Sequence, residues 1–404
     1  MDMRANIYIE QTAAAPAADR YAELVERKGT GHPDTMCDAI MEAVCLELCR
    51  HYLEHFGRIL HLNIDKSLLV AGRTTPRLGG GLVEEPMRLI FGDRATYEYQ
   101  GRRLPVADIA EATAKRWLRD HLRYVDPDRH VVFQNEIKPG SAELTDIFAR
   151  QVMGANDTSV GVGYAPLSET EQLVLATERF LNGPDFKQAF PASGEDIKVM
   201  GCRLGRELTL TVAMALVDRF LDSPAAYFAA KNQMQQQLEK FLADRLTSID
   251  AVKVAINTLD DPGRGEAGMY LTVLGTSAEG ADGGQVGRGN RANGLIAFNR
   301  YSSTEAAAGK NPVSHVGKIY NLLSRQMAAD IHRQVPGIRE VTVWLCSQIG
   351  KPIDQPLIAS AQLALAPEVV LADIRDQVAA IIDRELHGIG AFTQRLVRGE
   401  LPVC

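Results

Sequence analysis

The sequence predicts an α+β fold, built as one compact unit with several subdomains. Short runs of β-branched and aromatic residues alternate with longer amphipathic segments along the chain, which is typical of mixed strands and helices. The chain has 404 residues. At roughly 150 residues per domain, this length suggests two or three domains. Because no long low-complexity linker separates the elements, we expect the subdomains to pack together.

Strands are predicted where β-branched and aromatic residues cluster in short runs. These runs are residues 68–70, 131–133, 252–257, 270–274 and 341–346. Residues 197–200 and 208–212 flank a turn at 204–206 and predict a β-hairpin. Apolar and polar residues alternate in its second strand, so we expect one face of the hairpin to be exposed to water.

The clearest predicted helix runs from Asp34 to Phe56, where apolar residues recur at helical spacing. Ser168 and Glu171 form a capping box that begins another helix, and Gly183 marks its end. Further amphipathic helices are predicted near residues 106–124, 224–246, 315–334 and 371–388.

Composition and charge exclude several classes of protein. The chain has 44 Lys and Arg against 51 Asp and Glu, a net charge of −7, whereas nucleic-acid binders usually carry a basic excess. No segment approaches the ~20 consecutive apolar residues that cross a bilayer. The first ten residues lack the pattern of a secretory signal, and the six cysteines include no CxxC pair. We therefore expect a cytoplasmic enzyme with reduced thiols and neither a nucleic-acid nor a membrane partner.

Positive charge is concentrated between residues 283 and 318. This glycine-rich segment has a local charge of +4, and its backbone N–H groups can form an anion-binding concavity. A solvated basic loop would have the same composition, so charge alone leaves both interpretations open. The charged residues of the segment are Arg288, Arg291, Arg300, Glu305, Lys310 and Lys318.

A second candidate for an anion-binding site is the turn over residues 26–34, which leads directly into the first long helix. His32 and Asp34 lie near the N-terminus of that helix, where anions and metal–phosphate complexes bind well. Asp34 could equally be an N-cap, and His32 a structural turn residue. Farther along, strand alternation puts Asp196 and Lys198 on one face, either as a buried ion pair or as a ligand-binding pair.

Three short motifs are weak. Residues 308–311 resemble the end of a Walker A loop but lack its first glycine and its Ser/Thr. Residues 287–292 fit GxGxxA but lead into no obvious helix, so a dinucleotide fold is not expected. His51 and His55 spell the HxxEH zinc pattern, which needs a third ligand from a later helix.

Six longer motifs follow one another along the chain. They are residues 25–34 (VERKGTGHPD), 154–171 (GANDTSVGVGYAPLSETE), 194–201 (GEDIKVMG), 287–291 (GRGNR), 309–321 (GKNPVSHVGKIYN) and 347–352 (SQIGKP). In this order they resemble the archaeal-type methionine adenosyltransferases, or S-adenosylmethionine synthetases. The resemblance extends from about Tyr21 to the C-terminus.

The resemblance implies three β-α-β subdomains with pseudo-threefold symmetry, discontinuous in sequence, whose mixed sheets pack at a dimer interface. The first subdomain would comprise residues 1–30 and 168–277, the second 31–142 and 278–317, and the third 143–167 and 318–404. A homodimer or tetramer with active sites between subunits is implied as well. ATP, L-methionine, two Mg²⁺ and one K⁺ would occupy each site.

The implied reaction joins the sulfur of methionine to C5′ of ATP and releases triphosphate, which is then hydrolysed to pyrophosphate and phosphate. Sulfur needs no general base, so the barrier lies in the charge that builds on the leaving oxygen. The resemblance assigns catalysis to His32, Lys198, Arg288 and Lys310. It assigns further ATP and triphosphate contacts to Gly140, Ser141, Asp196, Asp282, His315 and Lys318. Methionine would contact Asn63, Asp65, Asp157 and Asp282, and Mg²⁺ would bind Asp34 and Glu26. The stretch from Asn63 to Asp65 is suggested for K⁺ as the alternative to methionine.

Two segments depart from the family pattern. Residues 138–143 read KPGSAE where the family has Gly-Gln-Gly-Ser-x-Asp, and residues 300–305 read RYSSTE in place of an Arg-Pro-Met-Ser-Met-Glu run. Lys138 adds charge and Pro139 removes a backbone donor. These changes indicate either neutral drift at the rim of a site that still uses ATP and methionine, or a paralogue that uses a related sulfur amino acid or another nucleoside triphosphate. A catalytically inactive, nucleotide-binding regulatory homologue is a further alternative.

Overall fold

The computed structural model describes residues 6–140 and 154–404, and every structural statement below concerns these residues. They form nine α-helices, which are α1 Pro33–Phe56, α2 Val106–His121, α3 Pro127–His130, α4 Glu169–Leu181, α5 Pro184–Ala189, α6 Pro224–Ala243, α7 Val316–Gln334, α8 Leu371–His387 and α9 Ile389–Val397. The predicted helices are confirmed, and the capping box of Ser168 and Glu171 begins α4 as expected. None of the described helices is long and apolar enough to cross a membrane.

Three mixed sheets carry most of the strands, which confirms the α+β prediction. Sheet A has the order Ile7–Gln11, Ile358–Leu365, Ile338–Cys346, Val160–Ala165. Sheet B has the order Ala251–Ile256, Glu207–Val217, Ser193–Leu204, Ala22–Lys28, Ile296–Ala297, with Leu271–Thr272 beside Glu207–Val217. Sheet C has the order Val131–Asn135, Met87–Phe91, Leu68–Val70, Gly284–Gln285.

Smaller β-elements complete the described structure. Three short strands, Lys138–Pro139, Arg94–Ala95 and Leu62–Asn63, form one further sheet. Two ribbons pair Arg73–Thr75 with Leu82–Glu85 and Glu98–Tyr99 with Arg102–Arg103. Four 3₁₀ turns lie at Ala17–Asp19, Asp218–Phe220, Pro262–Gly268 and Ser277–Glu279.

The predicted hairpin is confirmed as the centre of sheet B. Ser193–Leu204 and Glu207–Val217 pair antiparallel, and Gly205 takes a positive φ at the turn. In the second strand Leu208, Leu210 and Val212 are buried while the residues between them are exposed, as the alternation predicted.

One predicted strand is shorter than expected. Residues 270–274 form only the two-residue strand Leu271–Thr272, next to Glu207–Val217. The next two amides donate to a side chain instead of a strand, since Val273 N and Leu274 N lie 2.6 and 2.5 Å from the carboxylate oxygens of Glu279. The carboxylate of Glu279 thus takes the place of the hydrogen bonds that a neighbouring strand would have formed.

Two hydrophobic cores hold the elements together. The first lies among α1, α2, α7, α8 and sheets A and C, and the second lies between sheet B and helices α4 and α6. Helix α1 is buried on nearly all sides of its first half, as a helix in the interior of a large core must be. Helix α7 packs tightly on sheet A, because a Cβ on Gly161 or Gly163 would lie 2.2 Å from its backbone.

Sheet membership bears on the expected subdomain boundaries. Ile7–Gln11 pairs in parallel with Ile358–Leu365 of sheet A, whereas the expected first subdomain grouped it with the strands of sheet B. Ile296–Ala297 pairs with Ala22–Lys28 of sheet B, although it lies within the range expected for the second subdomain. In sheet membership both strands differ from the approximate grouping that the resemblance implies.

Candidate active site

The site begins where the turn before α1 lies against strand Ser193–Leu204. Gly29 N donates to Ile197 O at 2.6 Å, and Gly31 N donates to Glu195 O at 3.0 Å. A Cβ on Gly31 would lie 2.5 Å from the backbone N of Asp196, so only glycine permits this approach. The turn is thereby held beside the strand that carries Asp196 and Lys198.

His32 is the N-cap of α1. Its Nδ1 accepts a hydrogen bond from Asp34 N at 3.2 Å, so the neutral imidazole carries its proton on Nε2. Burial, reinforced by the nearby charge of Lys28, lowers the pKa of His32 to about 4. The interpretation of Asp34 as N-cap is therefore wrong, because His32 fills that position and Asp34 lies in the first turn.

Asp34 is held between a lysine and a backbone amide. Lys28 Nζ donates to its Oδ2 at 2.8 Å and also to Arg288 O at 2.7 Å, while Gln285 N donates to Oδ1 at 2.9 Å. Glu26 lies 3.9 Å from the same ammonium. The sequence reasoning missed Lys28, which directly precedes the Gly29-Thr30-Gly31 turn.

Asp196 and Lys198 do not pair with one another. The buried Asp196 carboxylate accepts from Ser277 N at 2.8 Å and from Ser277 Oγ at 2.5 Å, and burial raises its pKa to about 6. Lys198 keeps 42% of its side chain exposed, with its ammonium 3.6 Å from Glu26. Of the two interpretations, the internal ion pair is not formed, and Lys198 has an ammonium that a ligand can reach.

Asp282 and Arg288 complete this group on its open side, and both are exposed. The charge of Asp282 acts on His32 and on Asp196, so the three groups lie close together. We call this group the α1 cluster. It consists of Glu26, Lys28, His32, Asp34, Asp196, Lys198, Asp282 and Arg288.

A second group, the Lys310 cluster, consists of Asn63, Asp65, Glu305, Lys310 and His315. Lys310 is buried and pairs with Asp65 and, at 3.0 Å, with Glu305. Asn63 Nδ2 donates to Asp65 at 2.9 Å. His315 is the N-cap of α7, and burial together with Lys310 lowers its pKa to about 3.

Two other basic residues of the 283–318 segment form buried ion pairs. Lys318 is completely buried and lies 2.7 Å from Glu42. The Arg300 guanidinium lies 2.7 Å from Glu171 and also pairs with Glu340. Arg291 donates to Gly287 O, and Arg288 is the exposed cation of this segment.

The two clusters lie at different places along α1. The Lys310 cluster adjoins the middle of the helix, where Gly309 N donates to Glu42 and Cys45 Sγ donates to Lys310 O. Glu42 lies eight residues beyond Asp34, about 12 Å along the helix axis. A single chain thus brings His32, Asp34, Lys198, Asp282 and Arg288 together, but not Lys310, His315 or Lys318 with them.

A cavity of about 710 Å³, including its mouth, lies behind the Gly287–Arg291 loop. Its walls include Tyr164, Arg291, Asn293 and Arg325, and none of His32, Asp34, Lys198 or Asp282. The α1 cluster therefore lies outside this cavity; His32 and Asp34 are buried, whereas Lys198, Asp282 and Arg288 face solvent.

Three other predicted residues lie apart or outside the described chain. Ser141 is outside the described residues. Gly140 lies against the His61 ring, where a Cβ would approach Nδ1 to 2.4 Å. Asp157 is exposed, with its carbonyl accepting from Ser347 Oγ at 2.8 Å.

The HxxEH residues do not form a metal site among the described residues. The rings of His51 and His55 stack with centroids 5.8 Å apart, and His51 lies 3.6 Å from Glu47. No group of three or more His, Cys, Asp or Glu side chains that could hold a metal occurs in the described ranges. The zinc interpretation therefore has no structural support there.

Comparison with known proteins gives a consistent result. The family model of S-adenosylmethionine synthetase (AdoMet synthetase) matches residues 5–400. The S-adenosylmethionine synthase of Aeropyrum pernix is 48% identical over 99% of this chain and 100% of its own length. That of Pyrococcus furiosus is 46% identical over 99% of this chain and 100% of its own. A solved S-adenosylmethionine synthetase from Campylobacter jejuni covers 93% of this chain and 100% of its own, with a TM-score of 0.56 and 14% identity, and so shows likeness of fold alone.

Proposed function

The chain belongs to the S-adenosylmethionine synthetase family, and on this premise we propose that the α1 cluster is where it binds the triphosphate of ATP. The enzyme is a methionine adenosyltransferase, which makes S-adenosylmethionine from ATP and L-methionine. The observation that carries the proposal is a neutral His32 close to the reachable cation of Lys198, beside the loop whose exposed Arg288 is held by Lys28. We place its action in the cytoplasm.

The α1 cluster suits a reaction whose barrier comes from the negative charge that develops on the departing triphosphate. The sulfur lone pair forms a bond to C5′ while the C5′–O bond breaks, and the triphosphate leaves with that electron pair. No proton must be removed from the nucleophile. Fixed cations beside the leaving oxygen stabilise the charge that develops on it. Lys198 and Arg288 supply those cations, and His32 donates an Nε2–H hydrogen bond while staying neutral. The released triphosphate is hydrolysed to pyrophosphate and phosphate in the same place.

The acids of the cluster are the candidates for a Mg²⁺ site. Glu26 and Asp34 lie on either side of Lys28 Nζ, at 3.9 and 2.8 Å, so a Mg²⁺ ion bound by both would have to displace that ammonium. Hard oxygen donors supplemented by phosphate oxygens are what Mg²⁺ prefers. Glu26 and Asp34 would hold Mg²⁺ against the triphosphate, and the bound ions would neutralise phosphate charge. Two ions per site follow from the family resemblance.

The residues suggested for K⁺ fit that ion less well. Both oxygens of Asp65 accept hydrogen bonds from ammonium groups, Oδ1 from Lys66 and Oδ2 from Lys310. Burial alone would raise the pKa of Asp65, but the adjacent Lys310 outweighs it and the pKa falls well below its usual range. A monovalent cation would have to displace an ammonium there. We retain K⁺ as an expectation of the family without assigning ligands.

We propose that a second copy of the chain completes the site. The Lys310 cluster lies about 12 Å along α1 from the α1 cluster of its own chain, yet Lys310 and His315 are expected to contact the nucleotide. Sheets A and B also expose large apolar side chains, which is unusual for a surface that remains in water. These are Tyr8, Leu24, Val160, Leu204 and Ile358. A homodimer, or a tetramer of two dimers, would cover these faces and bring the clusters of different subunits together.

The methionine contacts and the subdomains are also proposals. Asp282 lies at the α1 cluster, whereas Asn63 and Asp65 belong to the Lys310 cluster and Asp157 is exposed elsewhere. Methionine bound between subunits could reach groups from both clusters. We further propose that sheets B, C and A mark the first, second and third subdomains, with Ile7–Gln11 reassigned to the third and Ile296–Ala297 to the first.

The deciding experiment incubates the protein with ATP, methionine, Mg²⁺ and K⁺, and measures the sulfonium product with phosphate and pyrophosphate. We expect all three products in equal amounts. Turnover only with another thioether or another triphosphate would favour a specialised paralogue. Nucleotide binding without any product would favour the inactive regulatory homologue.

A further inference from the structure

A β-bulge interrupts the strand that carries Asp196 and Lys198. Ser193 pairs with Leu216, but the next pair in register is Ile197 with Met214, so three residues oppose one. Such bulges change the direction of the side chains that follow. This bulge contains Asp196 and immediately precedes Lys198.

The backbone of the bulge also supports the turn before His32. Glu195 O accepts from Gly31 N at 3.0 Å and from Asn182 Nδ2 at 3.1 Å. Asp196 N donates to Gly275 O at 3.2 Å. A shift of the bulge would therefore move Lys198 and the His32 turn together.

Two cations outside the α1 cluster hold the bulge in place. Lys187 Nζ donates to Gly194 O at 2.6 Å and to Ser193 Oγ at 3.3 Å. The Arg123 guanidinium donates to Ser193 O and to the Glu195 carboxylate. Together they bind the backbone carbonyls of Ser193 and Gly194 and the carboxylate of Glu195.

The two cations come from different parts of the molecule. Arg123 follows α2, which packs in the first hydrophobic core, whereas Lys187 lies on α5, whose Phe186 packs in the second. Lys187 is buried, and this burial lowers its pKa to about 7 despite the adjacent Glu195. Burial of an ammonium group is costly unless the group is hydrogen-bonded. The bulge is thus anchored to both cores.

We propose that Arg123 and Lys187 are positioning residues for the transfer reaction, which fix the bulge and so set the placement of Lys198. The inference rests on the proposed function of the α1 cluster. Neither residue contacts substrate in this scheme. They act through Lys198, since displacement of a charged group by about 1 Å can cost on the order of a hundredfold in rate.

The test uses Arg123→Gln and Lys187→Met in the full-length protein, at a temperature where every variant is folded. We expect kcat for the sulfonium product to fall by about 10- to 100-fold, with a smaller change in KM for ATP. Arg123→Lys, which keeps a charge but only one donor group, should recover part of the rate. Lys231→Met is the matched control, because Lys231 forms a partly buried pair with Asp260 in the same core but does not touch the bulge. We expect its kcat to stay within about threefold of wild type.

A double-mutant cycle separates positioning from general destabilisation. If Arg123 and Lys187 act through Lys198, either substitution should have little further effect on kcat in a Lys198→Ala background. Equal fold losses in both backgrounds would overturn the proposal. So would wild-type kcat in both single variants.

The same cycle is measured in a binding assay that needs no catalysis. Calorimetric titration with tripolyphosphate, a mimic of the leaving group, should give about tenfold weaker binding in each single variant and no further loss with Lys198→Ala. Unchanged tripolyphosphate affinity in both variants would contradict the inference. A wild-type protein that binds tripolyphosphate but makes no sulfonium would refute the proposed function, and the binding cycle would still decide the positioning roles.

Discussion

The α1 cluster and the Lys310 cluster begin in the same way and differ in what surrounds them. Each is built on a histidine N-cap whose Nδ1 accepts from the backbone N two residues on, at 3.2 Å in both cases. In both, burial lowers the pKa of the histidine. Yet Lys198 keeps 42% of its side chain exposed, whereas Lys310 keeps 4% and is paired with acids. The difference shows that exposure decides availability: Lys198 lies 3.6 Å from Glu26 and still faces solvent, whereas Lys310 is buried against its two acids.

The strongest test of this contrast removes the reachable cations. Lys198→Ala and Arg288→Ala should each lower kcat by at least about a hundredfold, because each removes a charge contact to the transition state. Unfolding temperatures should change little, since both side chains are solvent-accessible. Steady-state kinetics and thermal denaturation on the same samples check this. Near-normal kcat in either variant would remove that residue from the site.

Removal of a paired cation should mainly lower the stability of the fold, whereas removal of a reachable cation should mainly lower kcat. Lys318→Met leaves Glu42 without its partner in a mostly buried place, which should cost about 3–5 kcal/mol of unfolding free energy. Denaturant unfolding measures the loss. Lys318→Met combined with Glu42→Gln serves as the control, and we expect it to recover a large part of the stability. An unchanged midpoint in the single variant would mean that the pair is not buried in solution.

The two histidine caps make stability depend on pH. The pKa of His315 is lowered to about 3, so between that pH and the ordinary value near 6.5 the unfolded chain binds a proton that the folded chain does not. Stability is therefore lost as pH falls below about 6.5. His315→Asn keeps a capping oxygen and removes the titration.

The comparison of unfolding free energies at pH 7 and pH 5 isolates this effect. We expect wild type to lose more than His315→Asn by roughly 2 kcal/mol, from 1.5 pH units at 1.36 kcal/mol each. Buried carboxyls such as Asp38, whose pKa burial raises to about 7, contribute with the opposite sign but equally in both proteins. Equal losses would show that His315 is not buried in its neutral form.

The smallest expected effect concerns the histidines outside both clusters. His51→Ala should leave kcat within about twofold and the unfolding free energy within about 0.5 kcal/mol, as for a surface change away from special features. Elemental analysis should find no zinc that depends on His51 and His55. A stoichiometric zinc ion lost in the variant would restore the HxxEH motif as a metal site.

Local patterns predicted the elements better than the contacts between them. The helix of residues 34–56, the hairpin around Gly205 and the capping box of Ser168 depend on spacing within a short window, and all three are present. The strand expected at 270–274 is mostly absent, because the side chain of Glu279 binds the two amides that would have extended it. The β-strand propensity of a short segment does not take account of a distant side chain that competes for its backbone amides.

For the site as well, local patterns identified individual residues but not the contacts between them. Motifs indicated His32, Asp34, Lys198 and Arg288, and these residues lie in or beside one cluster. Spacing suggested that Asp196 and Lys198 share a face, but the bulge at Ser193–Ile197 separates their partners. Lys28 was missed, since nothing in its neighbourhood distinguishes it from the other charges of the turn until Asp34 and the carbonyl of Arg288 are placed around it.

The sequence by itself determined the α+β class, the principal helices, the family and the presence of a basic segment within an acidic chain. Only the tertiary structure decided which charges of that segment are reachable, because pairing depends on residues far away in sequence. Arg300 is bound by Glu171 and Glu340, Lys318 by Glu42, and Lys310 by Asp65 and Glu305. Arg288, unlike these three cations, stays exposed to a ligand. Its backbone carbonyl, and not its guanidinium, binds Lys28 and holds the loop in place.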